Sequence, residues 1–447
     1  MFKKIFALIT AAALCLTLSS CGKKGQVPEL TEDGKKIVKV YAMRIGSAVY
    51  ENIRLFNQFN NEYEVQITEF SVEYSDNPID QFNAAMAAGK YPDVIMYDED
   101  GQFPIEHYAQ KGMLADFYEF IDNDPDLSRD DFSDVFKAFE WDGGLYRIFT
   151  SFFILSAAGK TSVVGKEQGI TLDRFIELIN EYPDSPFSDE GSDGVLSTLM
   201  TYGYENFIDT ANGECRFDSE EFIKLLEFCK QFPTTPEALS ELEFHEAQLK
   251  ERYAKLNGTM PFDFVYFYNF RNIRTVEHLE FCDPVTFIGF PGAGGNGSAI
   301  QPNGSKFSVL AKGANPDGGW AFVKYFLTGS RQNEFANSGP FAVRRSVLEE
   351  QAKFAKKLVW DSDENEYVEP YYIIGESGKK EYIGVNTDED NQRVYDLISG
   401  AVEMKYSTEI INIVREEAGA YFSGQKSAKG VAEIIQNRVQ NYIDESR

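Results

Sequence analysis

Residues 36–97 read KIVKVYAMRIGSAVYENIRLFNQFNNEYEVQITEFSVEYSDNPIDQFNAAMAAGKYPDVIMY. KIVKVYAM, EVQITEF and PDVIMY are apolar or alternating runs of strand length. Between them lie two stretches of helical period. In the first, Val49, Ile53 and Phe56 recur at i, i+4 and i+7. In the second, Ile79, Phe82 and Met86 share a face, Asn77 stands at the cap position, Pro78 opens the helix and Gly89 stops it. Strand–helix–strand–helix–strand predicts a parallel sheet with helices on both faces.

In open parallel sheets ligands lie outside the carboxyl ends of the strands. That rule selects Met43, Arg44 and Gly46 after the first strand, Ser71 and Glu73 after the second, and Tyr97, Asp98 and Glu99 after the third. Tyr97 supplies a stacking face with a hydroxyl, Asp98 an acceptor, and Arg44 a donor. A second concentration of rings is MPFDFVYFYNFRN at 260–272, six aromatics in a polar frame. Tyr266, Tyr268 and Asn269 are the candidates there, because a sugar site wants aromatic faces beside planar polar groups. Core packing is the competing reading for each of them. Trp320 and Phe326 read as core, and Trp141 and Trp360 fit either role.

Downstream the pattern turns mostly helical: TLDRFIELIN capped by Thr171, FDSEEFIKLLEFCKQF with an Asp218-x-x-Glu221 capping signature, DGGWAFVKYFLTG and KGVAEIIQNRVQNYIDES. VTFIGF and KFSVLA read as strands. Two motifs are decoys. Gly292-x-Gly294-x-x-Gly297 leads into turn and strand rather than helix, so it reads as a turn and not a dinucleotide loop. Asp122, Asp124 and Asp126 imitate the start of a calcium loop, but Leu127 and Ser133 stand where Gly and Glu are needed, which favours an acidic loop after a helix.

The chain has 447 residues, enough for two or three domains. Its formal net charge of -28 disfavours nucleic acid and anionic membrane as partners. Cys215, Cys229 and Cys282 fit no metal spacing, and the expectation is free thiols, with Cys229 buried on a helix face. No motif calls for a cofactor or a metal, and none marks a catalytic centre.

The chain opens MFKKIFALITAAALCLTLSSCGKKG. Lys3 and Lys4 precede an apolar run shorter than the ~20 residues of a membrane span. Leu18-Ser19-Ser20-Cys21 resembles a bacterial lipobox, in which residues 1–20 are a signal peptide and Cys21 carries lipid. Residues 21–35 then form a flexible tether. A plain secretory signal and a retained anchor are the alternatives.

Six segments, in order, are similar to the lipoprotein solute-binding proteins of ABC importers, in the carbohydrate-binding, maltose-binding-protein group: AAMAAGKYPDVIMYD, KGMLADFYEFI, DGGLYRIF, VTFIGFPGAGGNG, SVLAKGANPDGGWAFVKYFLTGSRQNEFA and GPFAVRRSVLE. GKTSVVGKEQGITLDRFIELIN and IQNRVQNYIDE resemble the larger members from Gram-positive bacteria. The resemblance implies an α/β, two-lobed, type II periplasmic-binding-protein-like fold with a hinge and an interlobe cleft. By that analogy the chain crosses near Thr150, Leu310 and Phe341. Lobe 1 takes 36–150 plus 308–341, and lobe 2 takes 151–307 plus 342–447. Where the family often has Pro, this chain has Phe149, which is expected to set an aromatic face near the ligand beside Thr150. The implied partners are a small solute, above all a sugar, and membrane permease subunits, with the receptor a monomer anchored on the extracytoplasmic face. Peptide or polyamine ligands, a tethered glycosidase and an adhesive surface protein are the rival readings.

Overall fold

The computed structural model describes residues 27–446, apart from 44–45, 71–77, 98–104, 211, 235–240, 293, 336–338, 363–364 and 375–378. The three predicted strands are present as β1 (Lys36–Met43), β2 (Tyr63–Phe70) and β3 (Val94–Tyr97). β1 lies between the other two and pairs parallel with both, so that Met43, Phe70 and Tyr97 end level. α1 (Ser47–Phe59) and α2 (Pro78–Ala87) connect them. Their predicted faces are the buried ones: Val49, Ile53 and Phe56 on α1, Phe82 and Met86 on α2. Each such side chain contributes about 1.5–3 kcal/mol by leaving water.

Two long strands run through the centre. β4 (Ile148–Lys160) and β7 (Ala299–Val309) pair antiparallel over most of their length. β7 also pairs with β3, matching Lys306 to Tyr97 on one side and to Phe149 on the other. β5 (Asp263–Phe267), β6 (Val285–Phe287) and β8 (Phe341–Ala342) all pair with β4. β13 (Val402–Glu403) pairs with the start of β7. The result is one sheet of nine strands with the path β6-β4-β7-β3-β1-β2. β4 is buried along nearly its whole length, as a strand covered on both faces must be.

The PNG of residues 302–304, which looks like a turn, lies inside β7. The register slips between Asn303 and Lys306, and Gly304 takes the left-handed conformation there at φ 70°. A bulge absorbs the extra residue and bends the strand. A Cβ at Gly304 would stand 2.4 Å from Thr150 Oγ1, so a side chain fits there only if the Thr150 hydroxyl turns aside.

The helices fall into two packed sets. A core around β1, β3 and β4 takes in α4 (Phe117–Asn123), α9 (Pro316–Leu327), α10 (Arg345–Ala355) and α11 (Asp388–Gly400), with Phe149, Phe307, Phe322, Phe326 and Phe341 at its centre. A second core joins α5 (Leu172–Glu181), α6 (Ser192–Tyr202), α7 (Glu220–Cys229), α12 (Thr408–Phe422) and α13 (Ala428–Ser446). α3 (Ile105–Gln110) buries Tyr108 and Ala109 in a smaller cluster with Phe82 and Met86 of α2, and α8 (Glu241–Asn257) is largely exposed. Thr171 caps α5 as expected. On α7 the cap is Ser219, whose Oγ accepts from Phe222 N, rather than Asp218; the helix starts one residue later than the capping signature places it. Two small hairpins, β9 (Val359–Asp361) with β10 (Glu366–Val368) and β11 (Tyr372–Ile374) with β12 (Lys380–Tyr382), stand outside both cores.

The acidic loop after α4 spends its carboxylates on cations. Asp124 accepts from Trp320 Nε1 at 2.8 Å and Lys324 Nζ at 2.7 Å. Asp122 pairs with Arg129, and Asp126 with Lys324. The loop thereby fastens α4 to α9. Trp320 and Phe326 are core, as read from the sequence. Cys215, Cys229 and Cys282 are free thiols, and burial pushes the Cys229 thiol far up.

Candidate functional site

The sheet geometry brings the carboxyl ends of β1, β2 and β3 to one level, in register with Lys306 and Phe149. Beyond that level β4 and β7 continue together, and β4 goes on to pair with β5 and β6. The chain at Thr150–Phe152 meets three other segments. Ser151 Oγ and the Asn303 amide hydrogen-bond at 3.1 Å. β8 pairs with Phe152 and Ser151. The fully buried Gln332 donates to the carbonyls of Thr150 and Phe326, and its Oε1 accepts from Arg344 N.

Past this crossing, one face of the sheet carries an aromatic wall. Tyr266 pairs with Leu155 in register, which places Tyr268 over Phe153 two residues along. The Tyr268 and Phe153 rings stack at 4.8 Å between centroids, and Tyr266 and Tyr268 stand at 6.4 Å with 14° between their planes. Both tyrosines are nearly half exposed, at 47% and 44%. The Tyr202 hydroxyl, at the end of α6, hydrogen-bonds Tyr266. Burial and that neighbour push the Tyr202 phenol far above its usual range, so it stays a neutral donor. The Tyr202 ring lies flat on Phe290 at 3.8 Å and 5°. Met404 packs at the same small cluster, and Tyr406 is close enough to act on the Tyr202 hydroxyl.

A charged group ties the start of β4 to β13. Arg147, one residue before β4, forms an ion pair with Glu403 of β13, the two side chains 12% and 19% exposed. The Arg147 guanidinium also lies 4.8 Å over the Phe139 ring. Burial holds the Glu106 carboxyl on α3 above its ordinary value, and Glu403 adds to the rise; Lys405 and Arg147 oppose it. Lys405 reaches Glu205 at 3.8 Å.

The sequence candidates divide as follows. Cys21, Arg44, Ser71, Glu73, Asp98 and Glu99 lie outside the described residues. Tyr97 ends at the expected level, but its ring is 2% exposed and packs with Ile95 and Leu310. Phe149 presents no face to solvent: it is fully buried, edge-on between Phe136 at 5.1 Å and Phe139 at 4.9 Å. The aromatic face expected there is spent on the core. Thr150 is 7% exposed and acts through its backbone carbonyl. Asn269 shapes the turn after β5, with its side chain accepting from Arg271 N at 3.0 Å. Tyr266 and Tyr268 come together on one wall. Phe153, Tyr202, Phe290 and Met404 beside that wall were not legible from the sequence: Phe153 is placed by cross-strand register and the others by tertiary packing.

The model of the family described as bacterial extracellular solute-binding protein matches residues 54–359, more than half of the chain. The chain belongs to that family. Membership places it outside the cytoplasm in a class of solute receptors. Among solved structures it is similar to the sugar-binding protein MalE from Xanthomonas citri, at 14% identity and a TM-score of 0.54, covering 92% of this chain and 98% of that one. It is also similar to an ABC transporter solute-binding protein from Thermotoga lettingae bound with α-D-tagatose, at 14% identity and 0.51, covering 92% and 100%. A third is an ABC substrate-binding protein from Listeria monocytogenes in complex with cycloalternan, at 12% and 0.51, covering 92% and 99%. These likenesses establish the two-lobed periplasmic-binding-protein fold. No curated protein matches the chain by sequence. No helix among the described residues is long and apolar enough to cross a membrane.

Proposed function

We propose that this chain is the solute receptor of an ABC importer and that its solute is a sugar or oligosaccharide. The observation that carries this is the pair of half-exposed, near-parallel rings of Tyr266 and Tyr268, backed by Phe153 and continued by Tyr202. A sugar ring offers apolar C–H faces to such rings and hydroxyls to the polar groups around them. The three structural relatives named above, two of them bound to a carbohydrate and one a sugar-binding protein, support the same class.

Lobe 1 comprises residues 36–150 plus 308–341, lobe 2 comprises 151–307 plus 342–447, and solute sits between them. Only the closed form makes both sets of contacts, so ligand favours closure without any chemistry by the receptor. The closed monomer docks on its permease, which a separate ATPase drives. Lipid on Cys21 keeps the receptor at high effective concentration beside that permease. A thermal-shift screen against sugars, amino acids, peptides and polyamines tests the ligand class. A true ligand at 100 times its Kd stabilises by about 2.7 kcal/mol. Shifts with polyamines or peptides and none with sugars would remove the sugar reading.

A further inference from the structure

The family match ends at residue 359, and the two hairpins begin there. Across the first, Trp360 pairs with Tyr367; across the second, Tyr372 pairs with Tyr382. The ring centroids are 5.2 and 5.7 Å apart. All four rings are exposed, from 36% for Tyr382 to 66% for Tyr367, and Ile374 beside them is 63% exposed. A lone two-stranded hairpin is marginal in water, and clustered exposed aromatics mark an interaction surface.

The hairpins are held in one place. Asp361 and Lys380 link them at 3.5 Å. Gly384 N donates to Glu369 at 2.8 Å. Arg274 donates to the Ile383 carbonyl, and Arg271 to the carbonyls of Phe354 and Lys357. Arg271 and Arg274 belong to the turn that follows β5, only a few positions after Tyr268. The exposed rings are therefore rooted on the same turn as the Tyr266–Tyr268 wall.

Charge selects the occupant. Asp361, Glu366, Glu369 and Glu381 outnumber Lys379 and Lys380 on the hairpins, with Lys380 4.9 Å over the Tyr372 ring, and the whole chain carries -28, so an anionic membrane and a second copy are both disfavoured. Aromatic faces with phenol hydroxyls and carboxylates at their edges suit a neutral polyhydroxylated chain. We propose that the hairpins extend the binding surface beyond the cleft, so that this receptor takes a glycan of several units. Its inner units lie on Tyr266 and Tyr268, and its outer units on Trp360, Tyr367, Tyr372 and Tyr382. This inference rests on the sugar reading above.

The test is calorimetry with maltose-, xylose- and cellobiose-type ladders from disaccharide to hexasaccharide, on the wild-type chain, Trp360→Ala and Tyr372→Ala, with melting curves to confirm folding. In the wild type, affinity for the ladder that binds rises with length. Each variant weakens the hexasaccharide on the order of tenfold and leaves the disaccharide unchanged. A ladder that binds without length dependence, or equally well to the variants, overturns the inference and leaves the sugar reading intact. Binding to no ladder, with a shift from a non-sugar solute, overturns both. Self-association or vesicle binding that the two variants abolish, with hexasaccharide affinity unchanged, assigns the surface to another occupant.

Discussion

Tyr266 and Tyr268 stand nearly half exposed on a strand whose alternate residues, Val265 and Phe267, are buried. A strand gives its two faces to different environments, and here one faces the core and the other is open, which on the proposed function is the side that takes the solute. Removing either ring takes away a stacking surface and little core. Tyr266→Ala and Tyr268→Ala are each expected to weaken sugar binding by about 1–2 kcal/mol, read by calorimetry, with a melting temperature close to wild type. Glu106 behaves differently. Its carboxyl is held above the ordinary value of 4.5, by burial first and Glu403 second. Between that value and the raised one, the folded chain keeps a proton that the unfolded chain releases. Stability therefore falls as pH rises through that window. Glu106→Gln removes this loss, so the variant is expected to be more stable than wild type at neutral pH, with the gap closing as pH falls toward the ordinary carboxylate range. Urea melts across the range check it, and an unchanged pH slope would show that Glu106 is ionised without cost.

At the scale of elements, the chain was legible wherever periodicity is local. α1 and α2 bury the faces their spacing predicts, and the three parallel strands fall where the apolar runs lie. β4 and β7 were legible only in part, since the PNG of residues 302–304 carries a turn signal that the bulge overrides. The strand-end rule found the level of Tyr97 but not the direction of its ring, because the rule selects an end and the face is set by tertiary packing. Phe153 and Tyr202 escaped for related reasons: a partner across a strand pair is a matter of register, and a ring at the end of α6 meets the sheet only through tertiary packing. Gly304 is where that register turns on a single atom. Gly304→Ala forces a Cβ to 2.4 Å from Thr150 Oγ1 at a φ of 70°, so the Thr150 hydroxyl must turn aside while the new side chain holds a left-handed backbone. The expected cost is about 2–3 kcal/mol in urea unfolding. A loss below half a kcal/mol would mean that the crossing is looser than its geometry.

For the whole molecule, the question is what sets the balance between open and closed forms before solute arrives. On the proposed division Arg147 lies in lobe 1 and Glu403 in lobe 2, and their side chains meet while largely shielded from water. β13, which carries Glu403, is hydrogen-bonded to β7 at Ala299 and Ile300, beyond the bulge, so the pair spans the hinge. Glu403→Gln takes the Glu403 carboxylate away from the Arg147 guanidinium, which costs free energy in any state that buries that charge. Opening relieves that cost by returning Arg147 to solvent. The variant is therefore expected to expand in solution scattering without ligand. Apparent affinity falls with the closed fraction, by tenfold for each 1.4 kcal/mol of the bias removed. Arg147→Met together with Glu403→Gln removes the buried cation as well and recovers part of the loss, which separates a latch from simple damage. A lower denaturation midpoint with unchanged radius of gyration and affinity would make the pair a fixture of a single core instead.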